Sequence, residues 1–168
     1  MELTGAYAVF GNGGEAVVPH EILEIRGKGG VVLYRRLPGG LGRVIDESVT
    51  ADMIDLLSAV INEGTGRAAR LDRPAAGKTG TSQDYRDAWF IGFTSDLTAG
   101  VWVGNDDNRP MKRVTGGGLP AEIWRDFMLE AHRGIAPEDL MMRREPPTAI
   151  EETVEDIWEN LKRRFGLQ

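Results

Sequence analysis

One short stretch gathers the residue types that do chemistry: Gly77-Lys78-Thr79-Gly80-Thr81-Ser82. It offers an amine, two threonine hydroxyls at alternate positions, and glycines that let a backbone approach closely. Two chemistries use such a set. The first is phosphate binding, in which G-x-x-x-x-G-K-[ST] joins a strand to a helix. Gly77-Lys78-Thr79 matches the end of that pattern, but Asp72 stands where its leading glycine belongs and Pro74 stiffens the loop. Gly80 is a poor helix start, and the residues beyond it read as strands. The second is acyl transfer at a strand edge. There a lysine ammonium holds positive charge beside a nucleophile and a substrate carboxylate. Side chains in a strand repeat every two residues, so Thr79 and Thr81 share a face, and Gly80 leaves the other face bare for close packing. A main-chain N–H on such an edge can serve an oxyanion.

The surrounding sequence must supply the strand. Runs at about Ala75 to Ser82, Ala88 to Thr94 and Thr98 to Gly104 are β-prone. In the second, Trp89, Ile91 and Phe93 share a face; in the third, Val101 and Val103 oppose Trp102. Short turn-rich connections at Asp84 to Asp87 and Ser95-Asp96 predict an antiparallel meander. A glycine-rich loop, Asn105 to Gly118, then leads to a helix with Pro120 in its first turn and Ile123, Trp124, Phe127, Met128 and Ala131 on its apolar side. Upstream, Leu3, Ala6, Tyr7 and Phe10 mark one face of a helix that Asn12-Gly13-Gly14 stops. This helix has no capping residue ahead of it, so the sequence reads as a fragment. Ile22 to Arg26 and Val31 to Arg36, joined by Gly27-Lys28-Gly29-Gly30, predict a hairpin that Pro38-Gly39-Gly40 ends. A helix from about Ser48 to Glu63 comes next, capped by Ser48, with Val49, Met53, Leu56, Leu57 and Val60 as its stripe. Beyond Gly134 the composition shifts. Arg143 to Pro147 reads as a linker, and Thr148 to Phe165 as a docking or solubilising amphipathic helix. The division expected is therefore 1–133 and 134–168.

The flanks of the lysine motif carry a resemblance. Arg73 to Ser82, then Asp84-Tyr85-Arg86-Asp87-Ala88-Trp89-Phe90-Ile91-Gly92-Phe93-Thr94, closely resemble the transpeptidase domain of class A penicillin-binding proteins, with K-T-G at Lys78-Thr79-Gly80. Val101-Trp102-Val103-Gly104, Asp106-Asp107, Thr115-Gly116-Gly117 and Ile123 to Met128 come in the family's order. Leu3 to Tyr7, Asn12-Gly13-Gly14 and Gly64-Thr65-Gly66-Arg67 match it upstream. The resemblance spans about residues 1 to 130. It implies an α+β fold of the β-lactamase-like kind, an antiparallel sheet with flanking helices, of which this chain is the C-terminal part. It implies a bifunctional, membrane-held cell-wall enzyme that polymerises glycan and cross-links stem peptides on the periplasmic side. In the cross-linking domain an S-x-x-K serine attacks D-Ala-D-Ala, S-x-N relays protons, and β-lactams acylate the same serine. Carried over by motif, Lys78 would be the charged catalytic neighbour of that serine. Thr79, Gly80 and Thr81 would hold the substrate or β-lactam carboxylate, and the Thr81 N–H would be one arm of the oxyanion hole.

The sequence departs from the family at the nucleophile. Three residues after Ser48, Ser58, Ser82 and Ser95 stand Ala51, Ile61, Tyr85 and Thr98, none a lysine. Two residues after them stand Thr50, Val60, Asp84 and Leu97, none an asparagine. Family order puts both missing motifs before Leu3. Without that serine no acyl-enzyme of the family's kind forms, so the chain alone is expected to be inactive. Its partner would be the N-terminal part of the domain, and strand side chains meant to touch that part would lie exposed and favour self-association. A non-catalytic interaction module of the same fold is the alternative.

Composition sets the outer bounds. The chain has 168 residues, 41% of them hydrophobic, and a net charge of −6 that argues against a nucleic-acid partner. There is no cysteine, and His20 and His132 lack ligand spacing, so no metal or other cofactor is expected. Asp106-Asp107-Asn108 lacks the glycine and glutamate of a calcium loop. Arg109, Lys112 and Arg113 read as a charged loop rim. No apolar run reaches the roughly 20 residues of a membrane span, and no secretory signal is present in this sequence.

Overall fold

A computed structural model describes residues 1–37 and 40–141. The linker at Arg143 to Pro147, the helix at Thr148 to Phe165 and most of the Pro38-Gly39-Gly40 turn lie outside the described residues. The elements are α1 (Glu2–Gly11), β1 (Glu24–Arg26), β2 (Val32–Arg35), α2 (Glu47–Asn62), β3 (Ala76–Thr81), β4 (Asp87–Phe93), β5 (Thr98–Gly104) and α3 (Leu119–Ala131). β1 and β2 form a separate antiparallel hairpin; β3, β4 and β5 form the meander, in that order. Among the described residues no helix is long and apolar enough to cross a membrane.

The meander closes through side chains the sequence places at its turns. The Ser82 N–H donates to the Asp87 carbonyl (2.9 Å), and the Asp87 N–H returns to Ser82 Oγ (2.7 Å). At the other end Thr94 Oγ1 accepts the N–H groups of Asp96 and Leu97, both at 3.2 Å. His132 completes that second knot. It is buried, its Nδ1 lies 2.8 Å from the Met128 carbonyl and its Nε2 2.9 Å from Thr94 Oγ1. A carbonyl only accepts, so Nδ1 carries the hydrogen and Nε2 takes the threonine hydroxyl. His132 is thus a satisfied core histidine that pins the end of α3 to the β4–β5 turn.

The two faces of the meander carry different covers. Ala88, Phe90 and Gly92 face α3, whose buried Trp124 meets Phe90 edge-on at 5.2 Å between ring centroids. The indole N–H reaches the carbonyls of Gly92 (3.3 Å) and Ala99 (3.1 Å). A Cβ at position 92 would sit 2.8 Å from the indole ring, so glycine is what admits it. On the opposite face, Ile91 and Phe93 are covered from the side of α1: a Cβ at Gly100 would lie 2.4 Å from Thr4 Oγ1, and one at Gly11 would lie 3.2 Å from the Phe93 ring. α2 runs against β3, sending Ile61 into the Trp124 cluster and Ile54 and Leu57 into a second cluster with Ala76, Phe93 and Leu140.

Several sequence expectations are corrected in detail. α2 starts at Glu47 after Asp46, so Ser48 lies inside the helix and does not cap it. Its buried side is Thr50, Ala51, Ile54, Leu57, Ser58 and Ile61, while Val49 and Leu56 are exposed. Apolar residues span a wide arc of this helix, and the docking direction on β3 selected the row one residue further on. α3 repeats the pattern: Trp124 and Met128 are buried, Ile123 and Phe127 exposed. In α1, Tyr7 and Phe10 pack inward and Leu3 and Ala6 do not. The expected bare face of the meander is also smaller than foreseen. Among the described residues the Trp89–Trp102 end stays open, while Ile91 and Phe93 are covered from the side of α1.

The candidate site at the edge of the meander

Among the described residues strand β3 is an outer strand of its sheet, paired with β4 alone. Its first half is buried against α2, and Lys78 to Thr81 emerges toward solvent. The ladder fixes which backbone groups emerge. Ser82 hydrogen-bonds Asp87, the pair next in register beyond Thr81–Ala88. Bonded and non-bonded pairs alternate in an antiparallel ladder, so Gly80 and Lys78 bond across to β4, whereas Thr81 and Thr79 turn their N–H and C=O off the sheet. The edge therefore presents the outward backbone groups of Thr79 and Thr81, with the Thr79 carbonyl taken by the Lys78 ammonium, the arrangement that receives an extended peptide as an added strand.

The side chains alternate as the sequence predicts. Lys78 points to the Ile91 side, sharing it with Gly80, Trp89 and Trp102, and its ammonium donates to the Thr79 carbonyl at 2.9 Å. Thr79 and Thr81 share the opposite face, and each hydroxyl has a partner there. Thr79 Oγ1 lies 2.7 Å from Thr65 Oγ1, in the loop after α2. Thr81 Oγ1 accepts the Gly116 N–H at 3.0 Å. Lys78, Thr79 and Thr81 thus stand along one sheet margin, with the amine and the hydroxyls on opposite sides of the strand.

Three residues that the motif reading left without a role hold this margin. Gly116 lies flat on the Gly80–Trp89 ring of the ladder: a Cβ there would fall 2.2 Å from the Trp89 carbonyl oxygen and 2.5 Å from that of Gly80. The close approach anticipated at Gly80 therefore comes from the threonine side, and Gly116 is the glycine it demands. Thr65 braces Thr79 from the α2 side. Asp87 uses both carboxylate oxygens, accepting Ser82 Oγ–H (3.0 Å) and the Trp102 indole N–H (3.0 Å), which fixes the end of β3 to the open indole pair. Gly64-Thr65-Gly66 and Thr115-Gly116-Gly117 were visible as motifs; their meeting across Thr79 and Gly80 was not.

The rival phosphate loop fails on local structure. Lys78 sits inside β3, and Thr81 leads into a tight turn and β4, not into a helix. Of the basic loop residues Arg109 belongs to a braced rim: the Arg86 guanidinium donates to the Asn108 carbonyl (2.6 Å), Asn105 Nδ2 to that of Arg109 (2.7 Å), and Arg109 pairs with Asp107. Among the described residues no three His, Asp or Glu side chains come together as metal donors.

Comparison with known proteins agrees with this architecture. The family described as penicillin binding protein transpeptidase domain matches residues 1–129. Penicillin-binding protein 1A of Aquifex aeolicus is 40% identical over 152 residues, covering 89% of this chain and 20% of the relative. The chain thus spans about a fifth of the length of the curated relatives it matches. Among solved structures, the penicillin-binding protein PonA1 from Mycobacterium tuberculosis superposes with a TM-score of 0.71 at 28% identity, over 90% of this chain and 45% of that one. Penicillin-binding protein 1A from Haemophilus influenzae gives 0.70 at 26%, over 87% and 28%.

Proposed function

This chain belongs to the transpeptidase-domain family of class A penicillin-binding proteins, and on that premise we propose that its β3 edge is the substrate-holding strand of a D,D-transpeptidase site. The observation that carries the reading is the emergence of Lys78 to Thr81 at the margin of the sheet, with the backbone groups of Thr79 and Thr81 turned outward. An extended stem peptide ending in D-Ala-D-Ala lies along that edge as a strand, and a β-lactam takes its place. The Thr79 and Thr81 hydroxyls receive the carboxylate, Gly80 keeps the strand thin, and the Thr81 N–H meets the oxyanion. Lys78 supplies positive charge to the reacting groups. Thr65 and Gly116 hold the two hydroxyls, and Asp87 holds the end of the strand.

The nucleophile lies outside these residues in this reading. None of Ser48, Ser58, Ser82 and Ser95 begins S-x-x-K or S-x-N, and a positioned oxyanion donor, contributing about 3 kcal/mol, does not replace an attacking serine. The chain is therefore one part of a cell-wall synthase acting at the extracytoplasmic face of the membrane. It is completed by the polypeptide that carries both motifs. Incubation with a labelled penicillin followed by intact-mass measurement is expected to show no adduct on this chain alone; a stable adduct overturns the reading. Adding a separately made polypeptide that bears S-x-x-K and S-x-N is expected to give acylation on that polypeptide. Lys78→Ala should then slow it by about 100-fold or more, and an unchanged rate counts against the assigned edge. The second reading, a non-catalytic module of the same fold, is favoured by the missing serine. It predicts that the two polypeptides bind without acylation.

A further inference from the structure

The segment that feeds β3 holds a buried positive charge with no close counter-ion. The Arg73 side chain is 8% exposed. Its Nη2 donates to the Ile135 carbonyl at 3.0 Å. Among the described residues its one acidic neighbour is Asp72, whose carboxylate lies 3.8 Å from Nε and is 76% exposed. Nη1 is buried and has no hydrogen-bond partner there. A neutral donor would brace Ile135 equally well, so that bond does not account for the charge. A water molecule would satisfy Nη1 and still leave the charge uncompensated. A guanidinium this deep calls for an anion beside it.

Arg73 separates two depressions. One, of about 320 Å³, also holds Asp72, which repels an anion. The other, of about 280 Å³, lies between the end of α2 and the residues that enter β3. No aspartate or glutamate lines it, and none of the edge residues Lys78 to Thr81 does. Its polar groups are Arg73, Arg70, Ser58 and Asn62. The Arg70 guanidinium donates to the Asn62 carbonyl and makes no ion pair among the described residues. Buried Ile61, Ala75 and Leu140 supply an apolar floor. In a chain whose net charge is −6, two guanidiniums with no acid between them make this depression locally cationic. Its volume falls just below the range of drug-sized sites, about 300–1,000 Å³, so its ligand is small.

We propose that this depression binds a small organic monocarboxylate, with its two oxygens against Arg73 and Arg70 and its apolar body on Ile61, Ala75 and Leu140. The planar guanidinium fork matches the two oxygens of a carboxylate. A phosphate also fits the fork, but it would leave its remaining oxygens against the apolar floor. The carboxylate gives the Arg73 charge its counter-ion and Nη1 an acceptor.

The test titrates the isotope-labelled full-length chain with sodium isovalerate at constant ionic strength and follows amide NMR signals. Those of Leu71, Arg73, Ala75 and Leu140 are expected to shift together and to saturate. Isovaleramide, of the same shape and without charge, should bind about tenfold or more weakly. Inorganic phosphate should bind more weakly than isovalerate. Arg73→Met, if its spectrum shows it folded, should lose the response. Arg70→Gln, at an exposed side chain, should weaken binding by about threefold or more, and with the amide control it decides the matter if Arg73→Met does not fold. A titration with no saturable shift overturns the proposal, as do equal binding of isovaleramide and an unchanged response in a folded Arg73→Met chain. Phosphate binding as tightly as isovalerate would show a site that reads charge alone, and it also overturns the proposal.

Discussion

In the β1–β2 hairpin, Ile25, Val32, Leu33 and Tyr34 are 40–68% exposed; in the meander, Phe90, Ile91 and Phe93 are 0–3% exposed. Both sets are large apolar or aromatic side chains, and both regions pair antiparallel. The difference is in what lies above and below. The meander has α3 on one face and α1 on the other, with α2 along its edge, so Phe90, Ile91 and Phe93 each lie under a covering element. The hairpin strands pack chiefly on each other. Strand propensity and pairing specify a ribbon, but the free energy of burial depends on a covering element. The meander is therefore the folding core, and the hairpin is a surface awaiting contact.

The comparison breaks most visibly at Trp124. Trp124→Ala removes the ring that fills the space above Phe90 and Gly92, and should cost about 3–5 kcal/mol in a urea melt; a loss under 1 kcal/mol would mean that the core is elsewhere. Next comes Gly116→Ala, whose methyl would collide with the ladder at Gly80 and Trp89. It should cost about 1–3 kcal/mol through overpacking, with NMR shift changes centred on Gly80, Thr81 and Trp89. His132→Ala leaves the Thr94 hydroxyl hydrogen without its acceptor and opens a small cavity, for about 1–3 kcal/mol, with faster amide exchange at Asp96 and Leu97. Thr65→Val removes only the brace on Thr79 and should cost about 0.5–1.5 kcal/mol. Leu33→Ser in the hairpin should lie within about 0.5 kcal/mol of the parent. A larger loss at Leu33 would show that the hairpin is already covered in solution.

Much of the candidate site was legible in the sequence. Lys78-Thr79-Gly80-Thr81 within β-prone flanks gives an edge-like strand with two hydroxyls on one face, because period two is a local property of an extended chain. What the motif could not give was its supports. Thr65 lies 14 residues from Thr79, and Gly116 lies 35 from Thr81; nothing in either local sequence says they meet. The helix stripes show the same limit. Leu57 in α2 and Trp124 and Met128 in α3 were placed inward correctly, whereas Val49, Leu56, Ile123 and Phe127 were placed inward and stand exposed. Apolar periodicity marks an arc on a helix, and only the partner's position decides which flank of it is buried.

By itself the sequence determined the meander, the helix order, the family, and the lack of an S-x-x-K or S-x-N serine within these 168 residues, since each is a matter of residue type at short spacing. The tertiary structure alone decided that β3 is an outer strand, that Thr79 and Thr81 rather than Lys78 and Gly80 turn their amides outward, and that the apolar hairpin has no cover among the described residues. Those outcomes depend on register and on the placement of distant segments, which loop closure and packing settle together and no local pattern encodes.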